Sequence, residues 1–256
     1  MSASEWLLTP VHGNHGSLRL FCFPHAGGGA STYWSWIGAL GPRIEVAPVQ
    51  LPGRETRRSA APFPDWNTLV NGLIHGLAPF LEPPFAFFGH SFGAFVAFEV
   101  ARGLARRGAP MTDCLLVSAA RAPHLLDPDP SIQRLPDADF IERLRRLNGI
   151  PDQVLGNKEL LDIFLPTIRS DLALLDAYRY REEPPLACQI VAFGGSDDKK
   201  VGAEDLEGWA RQTSHRFAIR RFPGGHFFLT TARDSLLRAV QEELDEALRG
   251  FDIGDQ

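Results

Sequence analysis

The feature that most constrains the fold is a serine between two glycines, in the run Gly89–Gly93. A continuous apolar stretch, 85–88, precedes it as a buried parallel strand would, and apolar residues recur at helical spacing over 94–104. A strand that turns at once into a helix holds its apex residue in a strained conformation, and only glycines two positions away on either side let the neighbouring backbone pass. The pattern G-x-S-x-G in this context predicts that Ser91 is a nucleophile rather than part of an ordinary tight turn.

The size and charge of the chain exclude several classes of protein. Its 256 residues, of which 44% are hydrophobic and 22% charged, are enough for one large α/β domain spanning 1–256. A net charge of -5 and the lack of a Lys/Arg-rich tract argue against nucleic acid as a partner. No apolar run approaches the roughly 20 residues that cross a bilayer, and Met1–Pro10 lacks the layout of a signal peptide, so we expect a cytoplasmic protein without membrane contact.

The three cysteines, Cys22, Cys114 and Cys188, each lie in an apolar, strand-like run. Their number is odd, and none belongs to the C-x-x-C pairs that zinc and redox sites use. We therefore interpret them as small buried apolar side chains and expect no metal site.

Strand-like and helix-like segments alternate along most of the chain. Besides the strand that ends at the serine, the predicted strands are Leu18–Phe23, Ile44–Val49, Cys114–Ser118, Cys188–Phe193 and Phe217–Phe222. A helix is predicted after the first of them, at Tyr33–Leu40. Helices between successive strands imply right-handed crossover connections, hence an α/β fold with a mostly parallel central sheet flanked by helices.

The alternation breaks between about 121 and 185. Amphipathic helical patterns occupy Asp137–Leu147, Lys158–Phe164 and, after Pro166, Thr167–Tyr178, without a good strand among them. Three successive helices are long for a crossover, so we expect a helical insertion that forms a lid over the active edge of the sheet. Ordinary crossover helices are the alternative.

A nucleophilic serine needs an imidazole that accepts its proton and a carboxylate that orients the imidazole. Functional loops of a parallel sheet follow the C-terminal ends of its strands, as Ser91 does. His226 follows the last predicted strand, whereas His215 precedes it and falls on the opposite edge. His25 and His90 lie near the nucleophile, but each belongs to a tight loop that its side chain would shape. His226 is therefore the predicted base.

Two adjacent carboxylates compete for the role of the acid. Asp197 and Asp198 both follow the strand Cys188–Phe193, and either one satisfies the order serine, aspartate, histidine of an α/β-hydrolase. Asp113 precedes its strand and is disfavoured. The run 195–201 fits the hydrolase pattern G-x-x-D-x-x-V when Asp198 is the acid, so Asp198 is preferred and Asp197 stays open.

The tetrahedral intermediate of acyl transfer needs backbone N–H groups aimed at its oxyanion. The predicted pair is the N–H of Phe92, one residue after the nucleophile, and that of Ala26, in the loop after the first strand. Glycines 27–29 of that loop could instead cradle a phosphate, but the sequence has neither a Walker lysine nor a G-x-G-x-x-G fingerprint followed by an acidic residue. We therefore expect no cofactor.

Five runs, in order along the chain, carry a family resemblance. They are Phe23–Gly28, Gln50–Arg54, Gly89–Gly93, Leu165–Asp171 with Tyr178–Tyr180, and Pro223–Phe228. Together they resemble type II thioesterases, the stand-alone editing enzymes of polyketide and nonribosomal peptide synthesis. The resemblance covers nearly the whole chain and implies an α/β-hydrolase fold in which Ser91, Asp198 and His226 match the catalytic positions.

The resemblance also implies a substrate and a partner. The substrate is an acyl thioester on the phosphopantetheine arm of a carrier protein, whose hydrolysis frees stalled or wrongly primed acyl groups without a metal or a nucleotide. Arg143, Arg145 and Arg146 are a candidate docking surface for an acidic carrier, with a solvated helix face as the alternative. Rival interpretations are a medium-chain thioesterase of a fatty-acid synthase, a general carboxylesterase and, from another class, a catalytically inactive hydrolase-fold binding module.

Overall fold

A parallel sheet of six strands organises the part of the chain that the computed structural model describes, namely residues 5–8, 18–82, 84–127, 132–146, 154 and 156–254. The strands are β1 (Leu18–Phe23), β2 (Ile44–Pro48), β3 (Phe85–His90), β4 (Cys114–Ser118), β5 (Gln189–Gly195) and β6 (Phe217–Phe222). Their order across the sheet is β2-β1-β3-β4-β5-β6, and every neighbouring pair runs parallel. The predicted α/β fold is confirmed, and the C-terminal ends of these strands meet at one edge.

Consecutive strand residues fill two apolar layers, one on each face of the sheet. In β1, Phe21 and Phe23 belong to one layer, while Leu20 and Cys22 belong to the other. Every residue of β1 and β3 is buried. Because both faces of the parallel sheet are covered at β1 and β3, no side of these strands meets solvent, and their sequences are nearly continuous apolar runs.

Helices cover both faces of the sheet. The α-helices of the described residues are α1 (Trp66–Leu77), α2 (Phe92–Arg106), α3 (Asp137–Arg146), α4 (Lys158–Ala177), α5 (Ala203–Glu207), α6 (Phe228–Thr231) and α7 (Arg233–Gly254). Apolar residues of α1 and α2 join the layer that contains Phe21, whereas those of α7 join the layer that contains Leu20. Because α2 begins one residue after β3 ends, Ser91 stands alone between the two elements.

Helices α3 and α4 form the insertion predicted between β4 and β5. Phe140 and Leu144 of α3 pack with Leu161, Leu165 and Ile168 of α4 in an apolar cluster of their own. The described residues between β4 and β5 contain no strand of the sheet, as the sequence predicts.

The predicted helix break at Pro166 is wrong, because α4 is continuous across it. A proline inside a helix removes one N–H donor and leaves the carbonyl four residues earlier without its helical partner. Pro166 and Asp162, whose carbonyl is released, both lie on the exposed side of α4. Water can therefore satisfy that carbonyl, and the helix continues on its buried side.

The interpretation of the cysteines is confirmed, since Cys22, Cys114 and Cys188 are all buried and unbonded to one another. Burial raises the pKa of each thiol, in the case of Cys188 to about 12. Among the residues described, no helix combines the length and the apolar character needed to span a bilayer.

Candidate active site

Ser91 occupies the turn between β3 and α2 with φ of 55° and ψ of -115°, a conformation that residues with a side chain rarely adopt. A Cβ atom at Gly89 would clash with the backbone at the start of α2, and one at Gly93 would clash with the backbone at the end of β1. The Ser91 N–H donates to the carbonyl of Ser118 at 2.7 Å, which ties the turn to β4. Both glycines are therefore required by close backbone approach, as the sequence predicts.

Three side chains meet at the C-terminal edge of the sheet in one hydrogen-bonded chain. Nε2 of His226 lies 3.0 Å from Oγ of Ser91, and its Nδ1 lies 2.8 Å from Oδ2 of Asp198. The side chains of His226 and Asp198 are only 5% and 1% exposed. When Nδ1 carries its proton and donates to Asp198, the lone pair of Nε2 faces the serine hydroxyl. This arrangement can activate an oxygen nucleophile.

The structure distinguishes between the two neighbouring aspartates. Asp198 contacts His226, and its other carboxylate oxygen accepts the backbone N–H of Lys200 at 2.8 Å. Asp197 is exposed and accepts the backbone N–H of Gly224 at 3.3 Å. Because adjacent side chains point in different directions, Asp198 is the one that faces the imidazole.

Burial of His226 and the hydrogen bonds of Asp198 set the protonation states of the two side chains. Burial lowers the pKa of His226 below its ordinary value near 6.5, and the hydrogen bond and negative charge of Asp198 offset only part of that effect. Burial would raise the pKa of Asp198, but the hydrogen bond with His226 and the backbone N–H of Lys200 outweigh it, so the pKa of Asp198 lies below its ordinary value. At neutral pH the pair is a neutral imidazole beside a carboxylate, the states that a base and its orienting acid require.

The glycine loop, Pro24–Gly29, follows β1 and lies beside the start of α2. The N–H of Gly28 donates to the carbonyl of His25 at 2.9 Å and closes a tight turn. Phe92 is the first residue of α2, where N–H groups have no acceptor within the helix. The predicted oxyanion donors, Ala26 and Phe92, thus lie on two segments whose backbones touch at Gly93.

A buried ion pair that sequence reasoning missed supports the glycine loop. Arg54, after β2, donates from Nη1 and Nη2 to the two carboxylate oxygens of Asp171 on α4, at 2.9 and 2.8 Å. The same carboxylate accepts the N–H of Gly27 at 2.8 Å, and Arg54 also donates to the carbonyl of Gly28 at 2.9 Å. Both charged residues lie in runs that carry the family resemblance, but no local pattern pairs residues 117 positions apart.

His90 is buried and His25 is half-buried, and both lie beside the turn that carries Ser91. Nδ1 of His25 lies 3.0 Å from the carbonyl of Ala26, and burial lowers the pKa of His25 to about 4. Nδ1 of His90 lies 2.9 Å from Oγ of Ser118, and burial lowers its pKa well below the ordinary value. These neutral rings fill space beside the two loops, the shaping role that the sequence predicts. The described part of the chain contains no group of three or more His, Cys, Asp or Glu side chains that could hold a metal ion.

The half of α4 that follows Pro166 is fastened to the rest of the molecule by polar contacts. Thr167 donates from Oγ1 to the carbonyl of Gly53 at 3.0 Å, and Nε1 of Trp66 donates to the carbonyl of Leu174. Just beyond the helix, the hydroxyl of Tyr178 donates to Glu99 of α2 at 2.7 Å. The insertion therefore has a fixed part, this second half of α4, and a part that packs chiefly through its own apolar cluster.

The arginines proposed for docking lie on α3. Arg145 and Arg146 each pair with Glu142 of the same helix, at 2.8 and 3.1 Å. The positive charge of Arg143 acts on Lys200, which places this residue close to the loop after β5. Two of the three charges are thus partly neutralised, as in a solvated helix face.

Known proteins are similar to this chain in sequence and fold. A family model described as the thioesterase domain matches residues 18–244. The linear gramicidin dehydrogenase LgrE of Brevibacillus parabrevis is 39% identical over 254 residues, which are 98% of this chain and 97% of LgrE. The thioesterase PikA5 of Streptomyces venezuelae is 37% identical over 89% of this chain and 81% of its own length. The solved type II thioesterase BorB from the borrelidin biosynthetic cluster matches with a TM-score of 0.85 and 37% identity, over 95% of this chain and 97% of BorB.

LgrE is named as a dehydrogenase, whereas the sequence described here has no G-x-G-x-x-G dinucleotide fingerprint. The family model, PikA5 and BorB all indicate thioester chemistry. The resemblance to type II thioesterases is confirmed over nearly the whole length of the chain. The protein therefore belongs to the thioesterase family, as a type II thioesterase with the α/β-hydrolase fold and an enzyme that hydrolyses thioesters.

Proposed function

We propose that the protein removes acyl groups from the phosphopantetheine arm of carrier proteins in polyketide or nonribosomal peptide biosynthesis. Ser91 is the nucleophile, His226 the general base and Asp198 the acid that orients it. The observation that carries this assignment is the hydrogen-bonded chain from Ser91 through His226 to Asp198, built from three loops at the C-terminal edge of the sheet. Relatives of similar length from such pathways, including BorB, support the choice of substrate.

In the acylation step, Ser91 Oγ attacks the thioester carbonyl while Nε2 of His226 takes the hydroxyl proton. The amides of Ala26 and Phe92 donate to the oxyanion of the tetrahedral intermediate. The carbon–sulfur bond then breaks, and the imidazolium returns its proton to the departing thiolate. The products are the free phosphopantetheine thiol and an acyl ester on Ser91.

In the deacylation step, a water molecule takes the place of the thiol. His226 accepts a proton from this water, whose oxygen attacks the acyl ester, and the same two amides stabilise the second oxyanion. Collapse of the intermediate breaks the bond to Oγ, and Ser91 recovers its proton from His226. Asp198 stays ionised throughout and stabilises the imidazolium in both steps.

The helical insertion is the proposed lid of the acyl chamber. Its cluster of Phe140, Leu144, Leu161, Leu165 and Ile168 offers apolar side chains close to the glycine loop, where Ile168 approaches Gly27. The carrier would approach from the same edge of the sheet, since its arm must reach Ser91. The three arginines of α3 stay a prediction for the docking surface.

The deciding experiment is single-turnover release of the acid from one acyl group held in three ways: on a carrier protein, on a small thiol and as an oxygen ester. Ser91→Ala is the blank, and we expect it to lower the rate by a factor on the order of a million. Faster release from the carrier than from the small thiol supports the proposal.

The other outcomes identify the rival interpretations. Preference for the oxygen ester would indicate a general carboxylesterase, and preference for a medium-length acyl chain on a fatty-acid carrier would indicate a fatty-acid synthase thioesterase. Turnover that persists in Ser91→Ala would remove Ser91 from the mechanism. A lack of turnover on all three substrates would favour a binding module.

A further inference from the structure

The conformation of the glycine loop is fixed by hydrogen bonds to four successive peptide groups, from His25–Ala26 to Gly28–Gly29. The carbonyl of His25 accepts the N–H of Gly28 at 2.9 Å. The carbonyl of Ala26 lies 3.0 Å from Nδ1 of His25, and the N–H of the same peptide group, on Gly27, donates to Asp171 at 2.8 Å. The carbonyl of Gly28 accepts from Arg54 at 2.9 Å. Two of these bonds come from side chains outside the loop, and those two side chains bind each other.

The direction of the Ala26 N–H follows from these bonds. That N–H shares a rigid planar peptide group with the carbonyl of His25, and the N–H and carbonyl of a trans peptide point in opposite directions. Rotation of the next peptide group, which Asp171 holds through Gly27, would change the turn that Gly28 closes. The ion pair therefore restrains the peptide groups that follow the Ala26 amide, through Gly27 and Gly28.

Both partners of the ion pair are almost completely buried, with Asp171 at 2% and Arg54 at 4% exposure. A buried ion pair is weak evidence of a contribution to stability, because desolvation offsets much of its attraction. A bidentate geometry instead specifies orientation, since two parallel N–H···O bonds fix both planes. The bidentate pair is therefore better suited to holding the glycine loop in one orientation than to stabilising the fold.

We infer that Asp171 and Arg54 are positioning residues for the oxyanion hole, which act through Gly27 and Gly28 on the Ala26 amide. The inference rests on the proposed function, because it assigns a support to the oxyanion donor proposed there. It also links the insertion to the chemistry: Ile168, one turn before Asp171, is the side chain that a Cβ at Gly27 would strike. The fixed half of α4 thus contacts the glycine loop with both an apolar and a charged side chain.

The test uses Asp171→Asn, Asp171→Ala and Arg54→Lys with the acyl group on a small thiol, so that carrier docking plays no part. Loss of one oxyanion donor lowers kcat by roughly a hundredfold to a thousandfold, so a misdirected donor in Asp171→Ala should cost about a hundredfold. Asp171→Asn keeps an oxygen that accepts the Gly27 N–H, so kcat should fall only about tenfold. Arg54→Lys keeps the positive charge but loses the bidentate geometry of the guanidinium, and kcat should again fall about tenfold. KM should stay within about twofold because ground-state binding is unchanged.

Two readouts separate positioning from general damage. Inhibition by a trifluoromethyl ketone, which forms a tetrahedral oxyanion on the serine, should weaken in parallel with kcat/KM across the three variants. The apparent pKa of kcat/KM should not move, because the Ser91–His226–Asp198 chain is untouched. Glu243→Gln is the matched control: it alters a buried carboxylate bound to Arg216 and Arg220, near the opposite edge of the sheet, and should leave kcat and the inhibition unchanged.

Several outcomes would overturn the inference. They are an unchanged kcat in folded Asp171→Asn and Arg54→Lys, a rise confined to KM, or an equal loss in Glu243→Gln. If Asp171→Ala fails to fold, the two conservative variants carry the test, with circular dichroism and thermal unfolding as checks. Failure of the proposed function would look different, because it would show in the native protein or in Ser91→Ala: preference for the oxygen ester, no turnover on any of the three substrates, or turnover that survives Ser91→Ala.

Discussion

The two edges of the sheet both bury charge, but they use it differently. At the C-terminal edge, Asp171 and Asp198 each bind groups that belong to loops, namely the glycine loop and the loop of His226. Near the N-terminal edge, Glu243 of α7 binds Arg216 and Arg220, which belong to or adjoin β6.

The second cluster joins a helix to a strand that apolar packing already holds together. The first fixes irregular backbone, for which packing alone does not specify one conformation. The same interaction therefore supports stability at one edge and the geometry of the reacting groups at the other. Substitutions at the two edges should therefore separate stability from turnover.

After the Ser91→Ala blank, the largest effect is expected from Asp198→Asn at the C-terminal edge. The amide can present its N–H group to Nδ1 and so favour the imidazole tautomer that cannot accept the serine proton, which lowers kcat by about ten-thousandfold in the Ser-His-Asp template. Single-turnover hydrolysis of a small thioester measures it. The neighbouring Asp197→Asn is the control and should change the rate by less than about twofold, because Asp197 faces solvent. Equal losses in the two variants would contradict the assignment of Asp198.

At the other edge, Glu243→Gln should lower the free energy of unfolding by about 2 kcal/mol without changing kcat. The arginine partners are near 40% exposed, so they can be rehydrated, and the cost stays below that of a fully buried pair. Denaturant unfolding measures the stability, and the thioester assay measures kcat. A fall in kcat in folded Glu243→Gln would contradict the idea that charge at this edge serves only stability.

The stability that Glu243 gains from its two arginine partners should depend on pH in a predictable direction. Burial would raise the pKa of Glu243, but its hydrogen bonds to Arg216 and Arg220 and their charges outweigh burial and leave the pKa lowered. A lowered pKa contributes stability above the pKa of the unfolded carboxyl, near 4.3, and that contribution is lost as the pH falls through the folded pKa. The stability gap between the native protein and Glu243→Gln should therefore shrink in acid. A constant gap would show that charge is not the source.

A smaller effect is expected in the pH profile of catalysis. His226 must be neutral to accept a proton, and burial keeps its pKa below about 6.5, so kcat/KM should rise with pH to a plateau whose midpoint lies below that value. Hydrolysis of a small, non-titrating thioester across the acid range provides the measurement. A midpoint above the ordinary value would mean that the negative charge of Asp198 outweighs burial.

The smallest effect is expected from charge reversal of Arg143, Arg145 and Arg146 on α3. Charges at the rim of an interface mainly change the association rate, so hydrolysis of the carrier-bound thioester should slow only a fewfold, and more at low salt. Hydrolysis of the small thioester should be unchanged. Equal slowing of both substrates would rule out a docking role for this face.

Much of the site at the C-terminal edge could be predicted, because it depends on neighbouring residues in the sequence or on the order of strands and loops. The glycines around Ser91 follow from backbone crowding, and the choice of His226 over His215 follows from the rule that functional loops come after strands. The choice of Asp198 over Asp197 stayed open in the sequence, since it depends on which way each side chain leaves a tight turn.

Other parts of the structure depend on contacts that no local pattern records. The pairing of Arg54 with Asp171 joins two loops and a helix that are distant in sequence. Helix α4 runs through Pro166 because the released carbonyl faces water, which depends on the orientation of the helix. The helix predicted at Tyr33–Leu40 is instead a 3-10 helix at Ala30–Trp36, in which Tyr33 is held by a contact with the end of β1, since its hydroxyl donates to the carbonyl of Phe23 at 2.8 Å.

The burial of the cysteines has a consequence for an enzyme whose product is a thiol. Thiol–disulfide exchange requires an accessible thiolate, and Cys22, Cys114 and Cys188 are buried with raised pKa values. Each thiol that hydrolysis releases, and each aromatic disulfide used to titrate it, therefore meets no reactive cysteine on the folded enzyme. Turnover can be followed continuously with such reagents. An absorbance change that comes from the protein's own cysteines would report its unfolding, because only unfolding exposes them.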